Sequence, residues 1–379
     1  MDQRRTITRT GQIRKGRNGR IDLLKFLFSI CIVLYHSKYL LGEELLMPGG
    51  NFSVDFFFLC SGYLLMNSVS KRPPYRGDGT LGTETRAFLL HKIKGFFVPM
   101  VLAWVIGYII TICCEQTNYP GLVGALDLLT DTIFEPMLIT LSGLYFDNLD
   151  GVIWYLSAMI LSMAVLYPLL RKFPDMMRKV ICPVGMLFIY GYLNQTTGSI
   201  GSYRLWMGFF FKGFLRALAD LSLGVVCFDL TASLRRHRPT HAGRILSEIV
   251  QDGCYLSLAI YMAVSSGGKK DFFFLILWAA AVCLSFSESG ILSQRLNGTV
   301  TQTLGNFSLP LFLCNVYWGH SLPYVLPESW PAAFKISLYL LLSVATSFFV
   351  WKLTDKIMAH RRQIRSAVKS ALMDDSAPK

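Results

Sequence analysis

Charged side chains are scarce in this sequence, since only 16% of its 379 residues are Asp, Glu, Lys or Arg. Soluble domains carry about a quarter. Here 53% of the residues are hydrophobic, and the mean hydropathy is +0.43. No stretch is long enough and polar enough to form a second folded domain. The composition therefore argues against a soluble enzyme with a membrane anchor and predicts one all-α, polytopic membrane helix bundle.

Metal-ligand spacing is also missing. The nine cysteines form no CxxC pair, and almost all fall inside apolar runs, so we interpret them as small buried hydrophobic residues and expect no metal. The formal charge of +13 would favour a nucleic-acid partner in a soluble protein. Here the basic residues gather in particular loops, so membrane topology explains them and we expect no nucleic acid. The first apolar run has no small-residue cleavage site, so we expect it to be retained.

Apolar runs of about 20 residues recur along the chain and predict about ten transmembrane helices, with the lipid bilayer as their surroundings. The runs lie at 21–41, 52–70, 88–112, 152–170, 180–194, 209–230, 245–264, 272–288, 304–322 and 333–354. They define a membrane domain at 20–358, between a basic tail at 1–19 and a charged tail at 359–379. The segment 115–150 has no Lys or Arg, and we expect an external loop with amphipathic or re-entrant structure.

The distribution of Lys and Arg predicts the orientation. With ten spans, 29 of the 37 basic residues fall on one side, in the two tails, the even-numbered loops and the span ends that adjoin them, and five fall on the other side. Because positive loops stay in the cytoplasm, we expect both termini to be cytoplasmic and the number of spans to be even. We expect a multi-pass protein of the plasma membrane.

The first span carries ionisable residues that are costly in a bilayer. Asp22, Lys25, Ser29 and His36 recur at helical spacing and share one face, which we expect to line the bundle interior or a wet cavity. His36 lies about 16 Å from Lys25 along the helix axis, toward the outer leaflet. Asp22 and Lys25 are close enough to the interface to reach water by snorkelling, and His36 has the alternative of a packing role with one hydrogen bond.

The second span, in the stretch GGNFSVDFFFLCSGYLL, begins near the depth of His36. Asp55 is placed to hydrogen-bond the imidazole, fixing its tautomer and raising its basicity. The alternative is that Asp55 only caps the helix N-terminus. The pair Ser61 and Gly62 favours close helix approach, with either a packing or a site role.

These two stretches carry a family resemblance. The sequence IDLLKFLFSICIVLYH followed by GGNFSVDFFFLCSGYLL resembles the opening of the integral-membrane acyltransferase family 3. Later stretches resemble further family features in order: FLLHKIKGFFVP, GVIWYLSAMILSMAVLYPLL, FFFKGFLRALADLSLG and LGNFSLPLFL. Five positions depart from the family pattern. Lys25 replaces the usual Arg, Met159 stands where many members have Glu, and Asn315 stands where the late motif often has His. Lys92 and Lys94 stand where arginines are common at the entry to span three.

The resemblance implies an acyltransferase that moves an acyl group, usually acetyl from cytoplasmic acetyl-CoA as co-substrate, to a hydroxyl of a cell-surface or lipid-linked glycan. His36 would be the general base or a transient acyl carrier, and Asp55 would orient it. Lys25, Lys92 and Lys94 would bind the acyl-CoA phosphates. Lys92 and Lys94 are equally explained as ordinary positive-inside residues.

Other residues are candidates for substrate binding. They are Asp22, Ser61, Trp154, Tyr155, Arg216 and Asp220. Arg216 and Asp220, four residues apart in span six, are also explained as an internal salt bridge. Trp154 and Tyr155 could stack on a sugar ring or belong to the aromatic belt at the interface.

Two other functional classes fit the same intramembrane polar residues. A transporter or flippase would use the cavity without chemistry, because proton relays also use intramembrane Asp, Lys and His. A regulatory or structural subunit with a decayed site is a third interpretation. The sequence does not identify the acceptor, the acyl chain length or the oligomeric state.

Overall fold

The computed structural model of the protein describes residues 17–42, 46–143, 149, 151–237, 239–292 and 295–374. Most of the predicted N-terminal tail, part of the external segment 115–150 and the last five residues lie outside this range. The described residues form helices and loops without a strand; a single antiparallel bridge joins Trp206 to Phe211. The prediction of an all-α bundle is confirmed.

The helices follow one another along the chain with short connections. Their bounds are α1 Gly19–His36, α2 Lys38–Leu41, α3 Ser53–Ser70, α4 Leu81–Cys114, α5 Gly121–Thr132, α6 Ile153–Lys172, α7 Pro174–Met176, α8 Cys182–Thr197, α9 Lys212–Arg236, α10 His241–Val264, α11 Asp271–Ser287, α12 Thr299–Leu313, α13 Val316–Val325 and α14 Ala332–Asp374. Single turns of 3₁₀ helix precede α3 (Gly50–Phe52) and α6 (Thr140–Ser142), and a π-helical turn, Met177–Ile181, joins α7 to α8.

Seven helical segments among the described residues are long and apolar enough to cross a membrane. They are Gly19–Leu41, Gly50–Ser70, Leu81–Cys114, Ile153–Lys172, Pro174–Thr197, Lys212–Arg236 and Ala332–Ile364, which coincide with predicted spans one to six and ten. The predicted span 245–264 lies within the more polar α10, and 272–288 coincides, except for its last residue, with the shorter apolar α11. The exact count of ten stays a prediction.

The predicted span 304–322 is not one continuous helix. It is divided into α12, which ends at Leu313, and α13, which begins at Val316. At this break the side-chain amide of Asn315 donates to the carbonyl oxygens of Leu311 (3.1 Å) and Phe312 (2.7 Å). Carbonyls at a helix C-terminus have no partner within the helix. Asn315 therefore stabilises the end of α12 from a buried position.

Close approach of α3 and α9 forms the centre of the bundle. A Cβ added at Gly62 would lie 2.1 Å from the carbonyl oxygen of Leu221, and one at Gly224 would lie 2.3 Å from that of Leu59. Only glycine fits at these two positions, which is the packing role that small residues have in membrane helix pairs. This contact brings Arg216 of α9 beside the start of α3.

One end of the bundle, where α1 begins, carries buried ion pairs; we call it the basic end. Arg20 is 5% exposed, pairs with Glu248 of α10 and donates to Asp252 at 2.8 Å. Arg171 of α6 donates through Nε to Glu84 of α4 at 2.8 Å, and the same carboxylate accepts from the Tyr167 hydroxyl at 2.6 Å. These pairs tie together helices that are distant in sequence.

Candidate active site

His36 ends α1 at the opposite end of the bundle from the basic end. It is 8% exposed and lies on the buried face that also carries Asp22 and Ser29, as their helical spacing predicts. Ser29 donates to the carbonyl oxygen of Ser308 in α12 at 3.1 Å, so this face packs on α12. We call the surroundings of this imidazole the His36 end.

The imidazole pairs with Asn315, not with Asp55. The distance from His36 Nδ1 to Asn315 Oδ1 is 2.7 Å. The predicted hydrogen bond between His36 and Asp55 is wrong because the Arg216 guanidinium occupies both carboxylate oxygens of Asp55, at 2.8 Å and 2.5 Å. The buried carboxylate of Asp55 is stabilised by this charged partner. The carboxamide of Asn315, and not Asp55, is the hydrogen-bond partner of His36.

The hydrogen bonds of Asn315 determine which ring nitrogen carries the proton. Its amide nitrogen donates to two backbone carbonyls, so the oxygen is the atom that faces His36. A carboxamide oxygen only accepts, and therefore Nδ1 of the neutral imidazole is the donor. The lone pair is then on Nε2, the nitrogen with which a histidine can accept a proton.

A cavity of about 330 Å³ lies beside His36. Its lining includes Arg216, Trp154 and Asn51, together with Lys38 and Tyr203. Arg216 donates to the carbonyl oxygen of Asn51 at 3.0 Å, and the Trp154 and Tyr203 rings stack with centroids 4.5 Å apart. Among the described residues that line this cavity, none is Asp or Glu. The cavity thus combines a lone pair, a fixed guanidinium and an aromatic wall.

Lys38 adds a further cation to this wall, which Arg204 also lines. Its ammonium donates to the Tyr35 hydroxyl at 2.6 Å and lies 3.8 Å from the centroid of that ring. No carboxylate contacts Lys38 within the described part of the chain. The sequence analysis did not identify Lys38 as a site residue. Its position two residues after His36 was the signal that could have placed it near the imidazole.

The remaining predicted site residues divide into two groups. Trp154 and Arg216 line the cavity with His36. Tyr155 does not: it is buried against Phe58, with centroids 4.6 Å apart, and its hydroxyl lies 3.4 Å from Ser61 Oγ. Tyr155 and Ser61 therefore occupy the bundle core, where apolar neighbours fill the space that a sugar would need.

Asp220 and Asp22 also lie away from the cavity. The nearest contact between Arg216 Nε and Asp220 is 4.0 Å, longer than the bonds to Asp55, and Tyr190 donates to Asp220 at 2.5 Å. Asp22 pairs with Arg17 and lies 3.6 Å from Lys25 Nζ at the basic end. Both carboxylates thus interact with side chains outside the His36 cavity, Asp220 with Tyr190 and Asp22 with Arg17.

The three predicted donor-binding lysines do not share one face. Lys92 is partly buried and interacts electrostatically with Lys25. Lys94 is exposed. Residues two apart on a helix point in opposite directions, so only Lys25 and Lys92 of this set lie near each other. Their neighbourhood is at the basic end, away from the His36 cavity.

The protein is thus a polytopic helical membrane protein with a buried histidine beside a polar cavity. The acyltransferase family 3 model, described as an acyltransferase domain, matches residues 18–352. The chain belongs to this family, which supports acyltransferase activity in general. No curated protein and no solved structure matches the chain.

Proposed function

We propose that the protein is an O-acetyltransferase of the plasma membrane that moves an acetyl group from cytoplasmic acetyl-CoA to a hydroxyl of a cell-surface or lipid-linked saccharide. The single observation that carries this proposal is the Asn315 hydrogen bond, which leaves Nε2 of His36 as the proton acceptor beside a cavity. Family membership supplies the acyl-transfer class. The acetyl donor and the saccharide acceptor are inferred from the resemblance.

In the proposed reaction Nε2 of His36 accepts the proton of the acceptor hydroxyl while the hydroxyl oxygen attacks the thioester carbonyl. The resulting tetrahedral oxyanion collapses, the carbon–sulfur bond breaks, and the thiolate of CoA takes the proton back from the imidazolium. In the variant route Nε2 attacks the thioester carbonyl and the carbon–sulfur bond breaks, releasing the CoA thiolate; the acetyl-imidazolium then passes the acetyl group to the hydroxyl, whose proton goes to the thiolate. Both routes use the same nitrogen.

The cations around the cavity have a role in this scheme. Lys38 lines the cavity in which the oxyanion would form. Within the described residues its ammonium contacts the Tyr35 hydroxyl and no carboxylate. A fixed positive charge near a developing oxyanion stabilises it in a water-poor site. Arg216, neutralised by Asp55, holds the backbone of Asn51 in place.

Donor binding is assigned to Lys25 and Lys92 at the basic end. Their positive charges lie near each other, and phosphate groups favour such pairs. The positive-inside rule predicts that this end faces the cytoplasm, where acetyl-CoA is found. Lys94, being exposed elsewhere on α4, is left out of the proposed donor site.

The experiment is acetyl transfer in isolated membranes with acetyl-CoA labelled in the acetyl group. We expect label in a saccharide fraction with the wild type and a loss of about 100- to 10,000-fold with His36→Ala, because a positioned base contributes roughly 10²–10⁴-fold. His360→Ala is the matched control, since His360 is exposed on α14. Acetylation that persists undiminished in His36→Ala would contradict the proposed role. Transport of a saccharide without any labelled product would favour the flippase alternative.

A further inference from the structure

A second cavity, of about 520 Å³, adjoins the His36 cavity. Four residues line both: Tyr39, Gly151, Tyr203 and Arg204. Tyr39 contacts an imidazole in each direction, since its ring centroid lies 6.0 Å from that of His36 and 3.8 Å from that of His320. His320 lines only the second cavity. The two cavities are therefore neighbouring compartments; we call the second one the vestibule.

Aromatic rings form much of the vestibule wall. Tyr119 and Tyr317 contribute to it besides the shared Tyr39 and Tyr203. A tyrosine ring offers an apolar face and a polar hydroxyl in one side chain. Sugar rings present the complementary surface, with apolar C–H faces and hydroxyls at the edge. This wall is suited to a saccharide.

Two carboxylates contribute to the polar part of the wall, together with Arg204, His320 and two threonines. Glu115 is buried, accepts from Ser321 Oγ at 2.9 Å and is thereby held in one orientation. Asp131 is half-buried near the end of α5. Carboxylate oxygens accept several hydrogen bonds at once, which suits neighbouring sugar hydroxyls. The inner cavity, by contrast, has cations but no carboxylate among its described lining residues.

The external segment builds this wall. Glu115, Tyr119 and Asp131 all come from residues 115–150, the stretch without Lys or Arg. In its helix α5, Leu128 is buried and lines the vestibule, while Asp127 is exposed. The segment expected from the sequence as an amphipathic external loop thus forms one side of a compartment next to His36.

We propose that the vestibule binds a second sugar unit of the acceptor, the one linked to the unit whose hydroxyl reaches His36. This inference rests on the proposed function, because it is the saccharide acceptor that would extend from one compartment into the other. The protein would then select an oligosaccharide of at least two units over a single sugar. Asp131 is the residue we assign to that selection.

The test measures binding and transfer separately. The probe is the surface polysaccharide of the producing cells, freed of ester groups and cut into size-fractionated pieces of one and of two sugar units. Binding to the purified full-length protein is measured by saturation-transfer NMR, and transfer by incorporation of labelled acetyl from acetyl-CoA. The variant is Asp131→Asn. Asp127→Asn is the matched control, because Asp127 lies one turn earlier on α5, is exposed and does not line the vestibule.

We expect the wild type to bind the two-unit fraction about 10-fold more tightly than the one-unit fraction, as one or two extra hydrogen bonds to a charged group would give. Asp131→Asn should remove that preference and leave one-unit binding unchanged, while Asp127→Asn should keep it. Tyr119→Phe is the second variant and should reduce the same preference. It provides the test in case Asp131→Asn does not fold.

Equal binding of both fractions by the wild type, or an unchanged preference in Asp131→Asn and Tyr119→Phe, would overturn the vestibule. Should the two-unit preference hold while no labelled acetyl is transferred to any fraction, the vestibule stands and the acetyltransferase function falls. The reverse result, equal acetylation of both fractions with no effect of Asp131→Asn, would remove the vestibule and keep the enzyme.

Discussion

The two ends of the bundle treat their charges in opposite ways. At the basic end, buried Arg20 and Arg171 each meet a carboxylate on another helix. At the His36 end, the histidine meets the neutral amide of Asn315, and Lys38 meets a tyrosine hydroxyl. A charged partner would hold the imidazole in its charged form more strongly than an amide does. The difference indicates that the buried arginine pairs of the basic end hold helices together, and it is consistent with the proton exchange proposed at the His36 end.

The Arg216–Asp55 pair shows where the two patterns meet. It is as buried as the pairs of the basic end, with 2% and 0% exposure of the two side chains, yet Arg216 lines the cavity. Arg216 occupies the Asp55 carboxylate, which is therefore not bonded to His36, and it also donates to the backbone carbonyl oxygen of Asn51. Asp55 therefore has a structural role as the partner of Arg216, although it lies at about the same depth in the bundle as His36.

The largest change in the rate of acetyl transfer that tests this difference between the two ends is expected at Asn315. Asn315→Ala removes the acceptor that fixes the His36 tautomer, and we expect acetyl transfer to fall about 10- to 100-fold, as orienting partners typically contribute. Initial rates per folded molecule measure it. Asn67→Ala, a half-buried amide near the basic end of α3, is the control and should keep its rate. A wild-type rate in Asn315→Ala would show that the tautomer argument is wrong.

A smaller effect, on stability alone, is expected at Glu248. Glu248→Gln weakens the partner of buried Arg20 and should lower the free energy of unfolding by about 1–3 kcal/mol. Thermal unfolding in detergent measures this change. Glu328→Gln, on an exposed loop, should leave the midpoint unchanged. The rate per folded molecule should be the same in both variants. Loss of rate without loss of stability would mean that the Arg20–Glu248 pair, and not only the proposed donor lysines, takes part in the reaction.

The smallest effect sharpens the assignment of the donor site. Lys92→Ala should raise the KM for acetyl-CoA about 5-fold, since a partly screened ion pair with phosphate is worth roughly 1 kcal/mol. Lys94→Ala removes the same charge from an exposed position on the same helix and should leave the KM unchanged. Equal effects of the two substitutions would favour the alternative in which both lysines serve topology only.

The bundle and the histidine could be predicted because they depend on local patterns. Apolar runs of membrane-spanning length predict helices whatever their neighbours, and helical spacing alone puts Asp22, Ser29 and His36 on one buried face. The resemblance to acyltransferase family 3 followed from two motifs in the first 65 residues and is confirmed over residues 18–352.

The partners of the charged residues could not be predicted in the same way. Asp55 was assigned to His36 by depth alone, but depth does not show which cation on another helix competes for the carboxylate, and Arg216 is 161 residues away. Asn315 was noted as a departure from the family pattern. Its role depends on the break between α12 and α13, which an uninterrupted apolar run conceals. A buried amide within such a run was the available signal.

The hydrogen bond between His36 and Asn315 spans 279 residues, from the last residue of α1 to the break between α12 and α13. During synthesis the histidine therefore enters the membrane long before its partner exists. Until α12 packs on α1, neither ring nitrogen of His36 is directed by the amide. The hydrogen bond that orients the imidazole can therefore form only after the chain has been synthesised beyond α12, and a chain that ends earlier would lack it.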